Sequence, residues 1–277
     1  MKAIILILMV LIGFPNDIHA QKRDKIKGDK EVISISEEIK DQFEKIEVAD
    51  NITVILQQGS RNSYLLTTDQ NLVAEVDVRV EGEVLKIFTK SKIVNSKKLE
   101  IHLTVKNLNF LIVKDNAFVK NSKKIAFDNL HITLRNSSKV DLELEVKHNT
   151  EINLSHNAGG KLSLSSHDVL INMKNRTDLK AKLNCKNLAV TLEKSTGIKL
   201  NGDADNATYT IEGSSNLDAK KMKTRYASLD SKNRTDIYIN ASKNIEITAA
   251  GKSTIFVYGN PNIKIVGFTD SSKIIKK

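Results

Sequence analysis

The side chains able to do chemistry are few and scattered. Five histidines lie downstream of residue 20: His102, His131, His148, His156 and His167. His148 and His167 stand 19 residues apart with His156 between them, and three converging imidazoles could hold a transition metal. No carboxylate stands at a fixed spacing to complete that set, so solvated turn histidines are the simpler reading. The single cysteine, Cys185, sits in Leu183-Asn184-Cys185-Lys186-Asn187-Leu188, where a small half-buried side chain fits better than a nucleophile. Asp178 and Asp236 occupy equivalent turns three repeat units apart, about 14 Å at strand-stacking distance. A retaining glycosidase needs its carboxyls about 5 Å apart and an inverting one about 6.5–9.5 Å. Serine and threonine are abundant but recur in one column, Ser138, Thr177, Thr196, Ser215, Thr235 and Ser253. That pattern points to a structural hydroxyl ladder rather than one activated hydroxyl. No glycine-rich phosphate loop is present. No catalytic residue, metal or cofactor is expected. The alternative is a polysaccharide lyase or glycoside hydrolase of β-helix type, which release of unsaturated or reducing sugar ends would reveal.

The hydroxyl column exposes the elements that carry it. From about residue 130 one phrase repeats: an alternating strand, a small polar turn, a second alternating strand. Met173-Lys174-Asn175-Arg176-Thr177-Asp178-Leu179 and Ser231-Lys232-Asn233-Arg234-Thr235-Asp236-Ile237 are two instances. The column steps are about 19 residues, with one double step from Ser138 to Thr177. The intervening turn, Ser155 to Lys161, reads as two residues longer. Apolar residues alternate with polar ones on either side of each turn (Ile132, Leu134, then Val140, Leu142, Leu144). Period two means strands with one buried face, not helices. One such unit cannot bury its apolar face alone. Coils stacked about 4.8 Å apart can, each strand pairing in parallel with its equivalent in the next coil. An up-and-down antiparallel sheet would explain the alternation but not a fixed turn column. The fold expected is therefore an all-β solenoid, with Asn136, Asn175 and Asn233 at tight corners.

The remainder of the chain is less regular. Residues 1–20 read as a secretory signal, with Lys2, an apolar run from Ala3 to Phe14, and Ala20 before the cut. Residues 21–42 are charged and expected to be partly disordered. Residues 43–277 form a single domain, irregular over 43–129 and regular over 130–277. The irregular part contains strand-like runs and a hairpin signal at Glu81-Gly82-Glu83, and could cap one end of the stack. At the other end Lys273, Lys276 and Lys277 read as edge protection against end-to-end polymerisation. The net charge is +10 with lysines spread throughout, which would favour anionic partners such as an acidic glycan or lipid head groups, while solubility and lysine protection of sheet edges are the simpler reading. Nucleic acid is not expected as a partner: tryptophan is absent and no basic run carries interleaved aromatics.

The stretch Ile245 to Pro261, closing on Val257-Tyr258-Gly259-Asn260-Pro261, resembles the closing motif of the head GIN domain of autotransporter adhesins from Bacteroidetes-type bacteria. Phe43 to Gln58 resembles that family's opening, so the resemblance covers about residues 43–277. The family's Gly-Ser-Gly turns are replaced here by Asn-Arg-Thr, Lys-Ser-Thr and Asn-Ser-Ser. The resemblance implies a right-handed parallel β-helix, non-enzymatic, exported to the periplasm, outer-membrane surface or exterior, with adhesion as its role. It implies no catalytic residues.

Overall fold

The computed structural model describes residues 23–277; the signal-like stretch 1–20 lies outside the described residues. The described chain is a β-solenoid of about nine turns with coils of about 19 residues. Each regular coil contributes two strand segments to two long parallel sheets. Leu130–Arg135 pairs in parallel with Asn149–Ser155, which pairs with Asp168–Lys174. Lys139–Val146 pairs likewise with Gly159–Ser165. Further along, the two segments of neighbouring coils merge into long bent strands such as Asp178–Glu193 and Asn216–Ser231. Inward positions follow the period-two pattern: Ile132, Ile152, Ile171, Val190 and Tyr209 stack in one fully buried column.

Parallel stacking reaches further upstream than residue 130. Lys45–Val48 and Thr53–Gln58 form a coil whose far side carries Phe110–Val113 and Phe118–Lys120. Its near side carries Val84–Thr89 and Leu99–Val105. The chain thus lays down its second coil beneath the first and steps over it to continue. Antiparallel strands close this end. Val76–Glu81 folds back on Val84–Thr89 through Gly82, at φ 62°. Ser63–Asp69 pairs antiparallel with Leu99–Val105 and carries Val32–Glu38 on its other side. The charged 21–42 segment therefore differs from expectation. Lys25–Lys27 and Val32–Glu38 are strands: the first pairs in parallel with Lys92–Asn95, and in the second Ile33 and Ile35 supply an apolar side facing the core end. Asp69 pins the arrangement. It is fully buried and accepts backbone N–H groups from Lys30, Lys97 and Lys98 at 3.0–3.1 Å. Burial alone would raise its pKa, but these donors more than offset that and hold the carboxyl below its usual range.

The corners up to residue 195 share one backbone solution, whereas those at Gly213, Asn233 and Gly251 keep positive φ at a single residue. Asn136/Ser137, His156/Asn157, Asn175/Arg176 and Lys194/Ser195 all have positive φ at both residues, 54–68°. Asp50/Asn51 and Asp115/Asn116 do the same upstream. Asparagine and aspartate tolerate this region better than other non-glycine residues, which accounts for their frequency here. The turn in the 155–161 stretch is not longer than its neighbours. Arg135 and Lys139 align with Ser155 and Gly159, so the spacing is equal. Gly160 occupies the inward position held by Val140 below and Leu179 above, and with no side chain there the apolar rhythm resumes only at Leu162. Its φ is 149°, and a Cβ would lie 2.2 Å from the Val140 carbonyl oxygen.

The Ser/Thr column lies inside the corner. Ser138, Thr177, Thr196, Ser215, Thr235 and Ser253 are each 0–3 % exposed. The ladder is broken into pieces. Thr196 Oγ1 donates to Ser215 Oγ at 3.2 Å, and Thr235 Oγ1 to Ser253 Oγ at 2.9 Å. Ser138 Oγ donates to the Val113 carbonyl at 2.8 Å and accepts from the Arg135 N–H at 3.0 Å. Thr177 Oγ1 is buried without a partner: Ala158 on one side of it in the column carries no hydroxyl, and Thr196 on the other donates to Ser215 instead.

Two consequences are measurable by chemical denaturation. Gly160→Ala should lower stability by about 3 kcal/mol through overpacking and backbone strain. Ser138→Ala should cost about 1–2 kcal/mol, whereas Thr177→Val should be neutral or raise stability by about 1 kcal/mol, since it removes an unpaired buried hydroxyl. Equal losses at Ser138 and Thr177 would contradict this assignment of the column.

Candidate functional site

In-register stacking turns every outward position into a row along the solenoid axis. On the sheet that follows the turn, one row reads Asp141, Lys161, Lys180, Lys199, Asp218, Tyr238, Phe256. Three lysines on successive coils are thus neighbours about 4.8 Å apart along the axis. Like charges directly opposite each other weaken a strand pair by a few tenths of a kcal/mol, so the row is not there for the sheet. Lys161 lies 3.9 Å from Asp141. Lys180 and Lys199 have no carboxylate within 4.0 Å among the described residues, nor does Lys182 in the adjacent outward row. All four lysines are exposed.

A shallow groove runs beside the row, lined by Lys161, Lys180, Lys199 and Asp178. Its shape comes from glycines flanking Asp178 in the neighbouring row, Gly159 on one coil and Gly197 on the other. A Cβ at Gly197 would meet the Asp178 carboxylate at 2.6 Å; the missing side chain lets that carboxylate lie over the next coil.

Further along, the same row becomes aromatic. Tyr238 and Phe256 stack with ring centroids 4.7 Å apart and planes 7° from parallel. The Lys220 ammonium lies 5.7 Å from the Tyr238 ring and that of Lys277 5.4 Å from the Phe256 ring, both within cation–π range. From Lys161 to Phe256 the row spans five coil steps, about 24 Å. It presents ammonium groups at one end and, at the other, a stacked aromatic pair whose ring faces are turned on each other and toward the flanking ammonium groups.

The other candidates separate. His148 and His167 are on adjacent coils, with the His167 N–H donating to the His148 carbonyl, but His156 sits in the turn at a different corner. Among the described residues no group of three or more His, Cys, Asp or Glu is placed to hold a metal ion. His167 Nδ1 instead lies 3.0 Å from an Asp168 oxygen. Asp178 and Asp236 share a row three coil steps apart, too distant to act on one glycosidic bond. Burial pushes the Cys185 thiol up to about 12, which leaves almost no thiolate at neutral pH. The buried Ser/Thr column presents no hydroxyls to a ligand.

One row went unread in the sequence. At the corner between the end of one coil and the start of the next, Asn149, Asp168, Asn187 and Asn206 stack in register. Asn187 Nδ2 donates to Asp168 Oδ1 at 2.7 Å and Asn206 Nδ2 to Asn187 Oδ1 at 2.9 Å. The donor from Asn187 and the contact with His167 hold the Asp168 carboxyl below its usual range. The signal was available as amide-bearing residues 19 apart. The lysine row was equally available, as Lys161, Lys180 and Lys199 at the repeat spacing.

Comparison with known proteins places this geometry in context. The family model described as "Putative auto-transporter adhesin, head GIN domain" matches residues 42–167 and 150–261. A crystal structure of a "putative adhesin" from Parabacteroides merdae superposes with a TM-score of 0.69 at 19% identity, covering 92% of this chain and 99% of that one. One of a "putative adhesin" from Parabacteroides distasonis gives 0.66 at 19% identity, covering 92% and 100%. A "putative lipid binding protein" from the same species gives 0.63 at 21% identity, covering 92% and 100%. At these identities the structures bear on the fold alone. No curated protein sequence matches. The fold, its coil length and the two overlapping family matches agree: this chain belongs to the auto-transporter adhesin head GIN domain family.

Proposed function

We propose that this chain is a non-enzymatic, exported adhesin-like solenoid that holds an acidic polysaccharide along the Lys161–Lys180–Lys199 row. The observation that carries the reading is that row itself. It sets three exposed lysines in direct register, two of them without a carboxylate partner among the described residues. Lysines needed only for solubility would serve as well in alternating rows, where they would not repel each other. A linear polyanion lying along the axis relieves the repulsion and meets one ammonium per coil. The regular spacing of the ammonium groups along the axis supports a linear polymer over a simple inorganic anion, which would meet only one or two of them. The non-enzymatic part rests on the absence of a close acid pair in this row and on the family's description as an adhesin.

Binding of the purified protein to immobilised polygalacturonate should be measurable at low salt and weaken as ionic strength rises. Neutral dextran should not bind. The double variant Lys180→Glu/Lys199→Glu should weaken binding at least about tenfold. Lys174→Glu/Lys252→Glu, with the same charge change near the turn corner, should change it less than about twofold. Equal losses from both pairs would mean diffuse charge attraction with no site. Preference for anionic lipid vesicles over every polysaccharide would replace the glycan with a membrane surface. Release of unsaturated or reducing ends from the polymer would replace the binder with a lyase or hydrolase.

A further inference from the structure

The two ends of the solenoid are finished differently. At the C-terminal end the last coil consists of Asn262–Phe268 and Lys273–Lys276. Among the described residues these strands pair on one side only, with the coil before them. Nothing lies over the core there. Ile265 continues the inward column of Ile247, yet is 56 % exposed, and Phe268, in register with buried Ala249, is 40 % exposed. Ile263 and Ile274 remain partly covered. Among the described residues the core-facing side chains of Ile265 and Phe268 are bare, and a solenoid end needs such a face covered.

The N-terminal end offers a strand of matching type. Val32–Glu38 is the outermost strand of the same sheet that ends in Lys273–Lys276. It pairs antiparallel with Ser63–Asp69, which pairs antiparallel with Leu99–Val105. Two reversals make Val32–Glu38 run in the same direction as the coil strands, including Lys273–Lys276. Its core-side positions are Ile33, Ile35 and Glu37, set by register with Thr68, Leu66 and Tyr64. Val32 and Ile33 are exposed, at 38 % and 37 %.

The sequences of these two edge strands are complementary. Lys273-Ile274-Ile275-Lys276-Lys277 can be laid in parallel beside Ser34-Ile35-Ser36-Glu37-Glu38. Ile274 then falls beside Ile35 on the core side, since Ile274 is in register with buried Ile255. In that alignment Lys276 opposes Glu37, also on the core side, and Lys277 opposes Glu38 on the outer side. Sidedness, strand direction and charge agree in one register. A contact between two C-terminal ends would instead oppose lysine to lysine.

We propose that the chain associates head to tail with further copies of itself, Lys273–Lys276 of one copy extending the sheet at Val32–Glu38 of the next. The terminal lysines, which in the sequence look like protection of a bare edge, then select the partner edge. The contact joins two different surfaces, so it propagates into an open series rather than closing as a dimer. It sets Ile274 beside Ile35 on the core side and repeats the parallel pairing found between coils.

Sedimentation velocity of the purified protein over a concentration series tests this. The weight-average sedimentation coefficient should climb without a plateau at dimer, and fall back at about 1 M salt, where screening is nearly complete. Glu37→Lys/Glu38→Lys should weaken association at least about tenfold, as should Lys276→Glu/Lys277→Glu. Mixed in equal amounts, the two variants should associate again, because each restores the opposite charge missing from the other. That rescue also shows that both variants are folded. A wild-type protein that stays monomeric at high concentration, a closed dimer indifferent to both charge reversals, or variants that fail to rescue each other would each overturn the proposal.

Discussion

In-register stacking of coils about 4.8 Å apart is the constraint on which everything else in this molecule depends. It places each residue directly against its equivalent in the coils above and below. An inward sheet position is therefore apolar in nearly every coil, and a change of size, as from Val190 to Tyr209 or from Val140 to Gly160, must be absorbed by its neighbours. The first corner residue must accept positive φ in coil after coil, as at Asn175, Lys194, Gly213, Asn233 and Gly251. Thr177 shows how little slack exists: its hydroxyl is left without a partner between Ala158, which has none to offer, and Thr196, whose hydroxyl turns to Ser215. Gly160 shows the opposite adjustment, in which the backbone itself closes into the space of an absent side chain.

The constraint explains which features were legible in the sequence. The parallel stack, the coil length and the Ser/Thr column were readable because each is a local property repeated at a fixed step. Asn136, Asn175 and Asn233 were readable as corner residues because positive φ selects asparagine wherever it recurs. The buried state of the column was less readable, since serine and threonine in a polar turn look exposed. The spacing around residues 155–161 was misjudged because Gly160 leaves no apolar mark at an inward position. Counting from Leu154 to the next apolar residue then suggests an insertion that the register denies.

The upstream third was hidden for a different reason. Val84–Thr89 and Leu99–Val105 stack beneath Lys45–Val48 and Thr53–Gln58, while later strands stack on the other side. Nothing in local periodicity announces that the chain lays down a coil out of spatial order, because the pairing is non-local. Val32–Glu38 alternates apolar and polar residues, yet the surrounding charge gives it the composition of a disordered segment. Its order comes from Ser63–Asp69 on one side and from Asp69, which collects backbone donors from two distant segments.

The same constraint separates structure from function on the surface. A residue repeated at an inward or corner position is explained by packing, so repetition there says nothing about a ligand. Outward rows are different, because stacking makes repetition of a charge unfavourable for the sheet. The neighbouring rows follow that expectation. Ser163, Lys182 and Asn201 mix character along one row, and Gly159, Asp178 and Gly197 along another. Lys161, Lys180 and Lys199 break it on three consecutive coils. Asp141 at one end and Asp218 at the other bound the run and limit the repulsion to the middle. A fold that turns each outward position into a continuous line makes the line, rather than any single residue, the natural unit of recognition. Where such a line works against the stability of its own scaffold, what it gains must come from something bound to it.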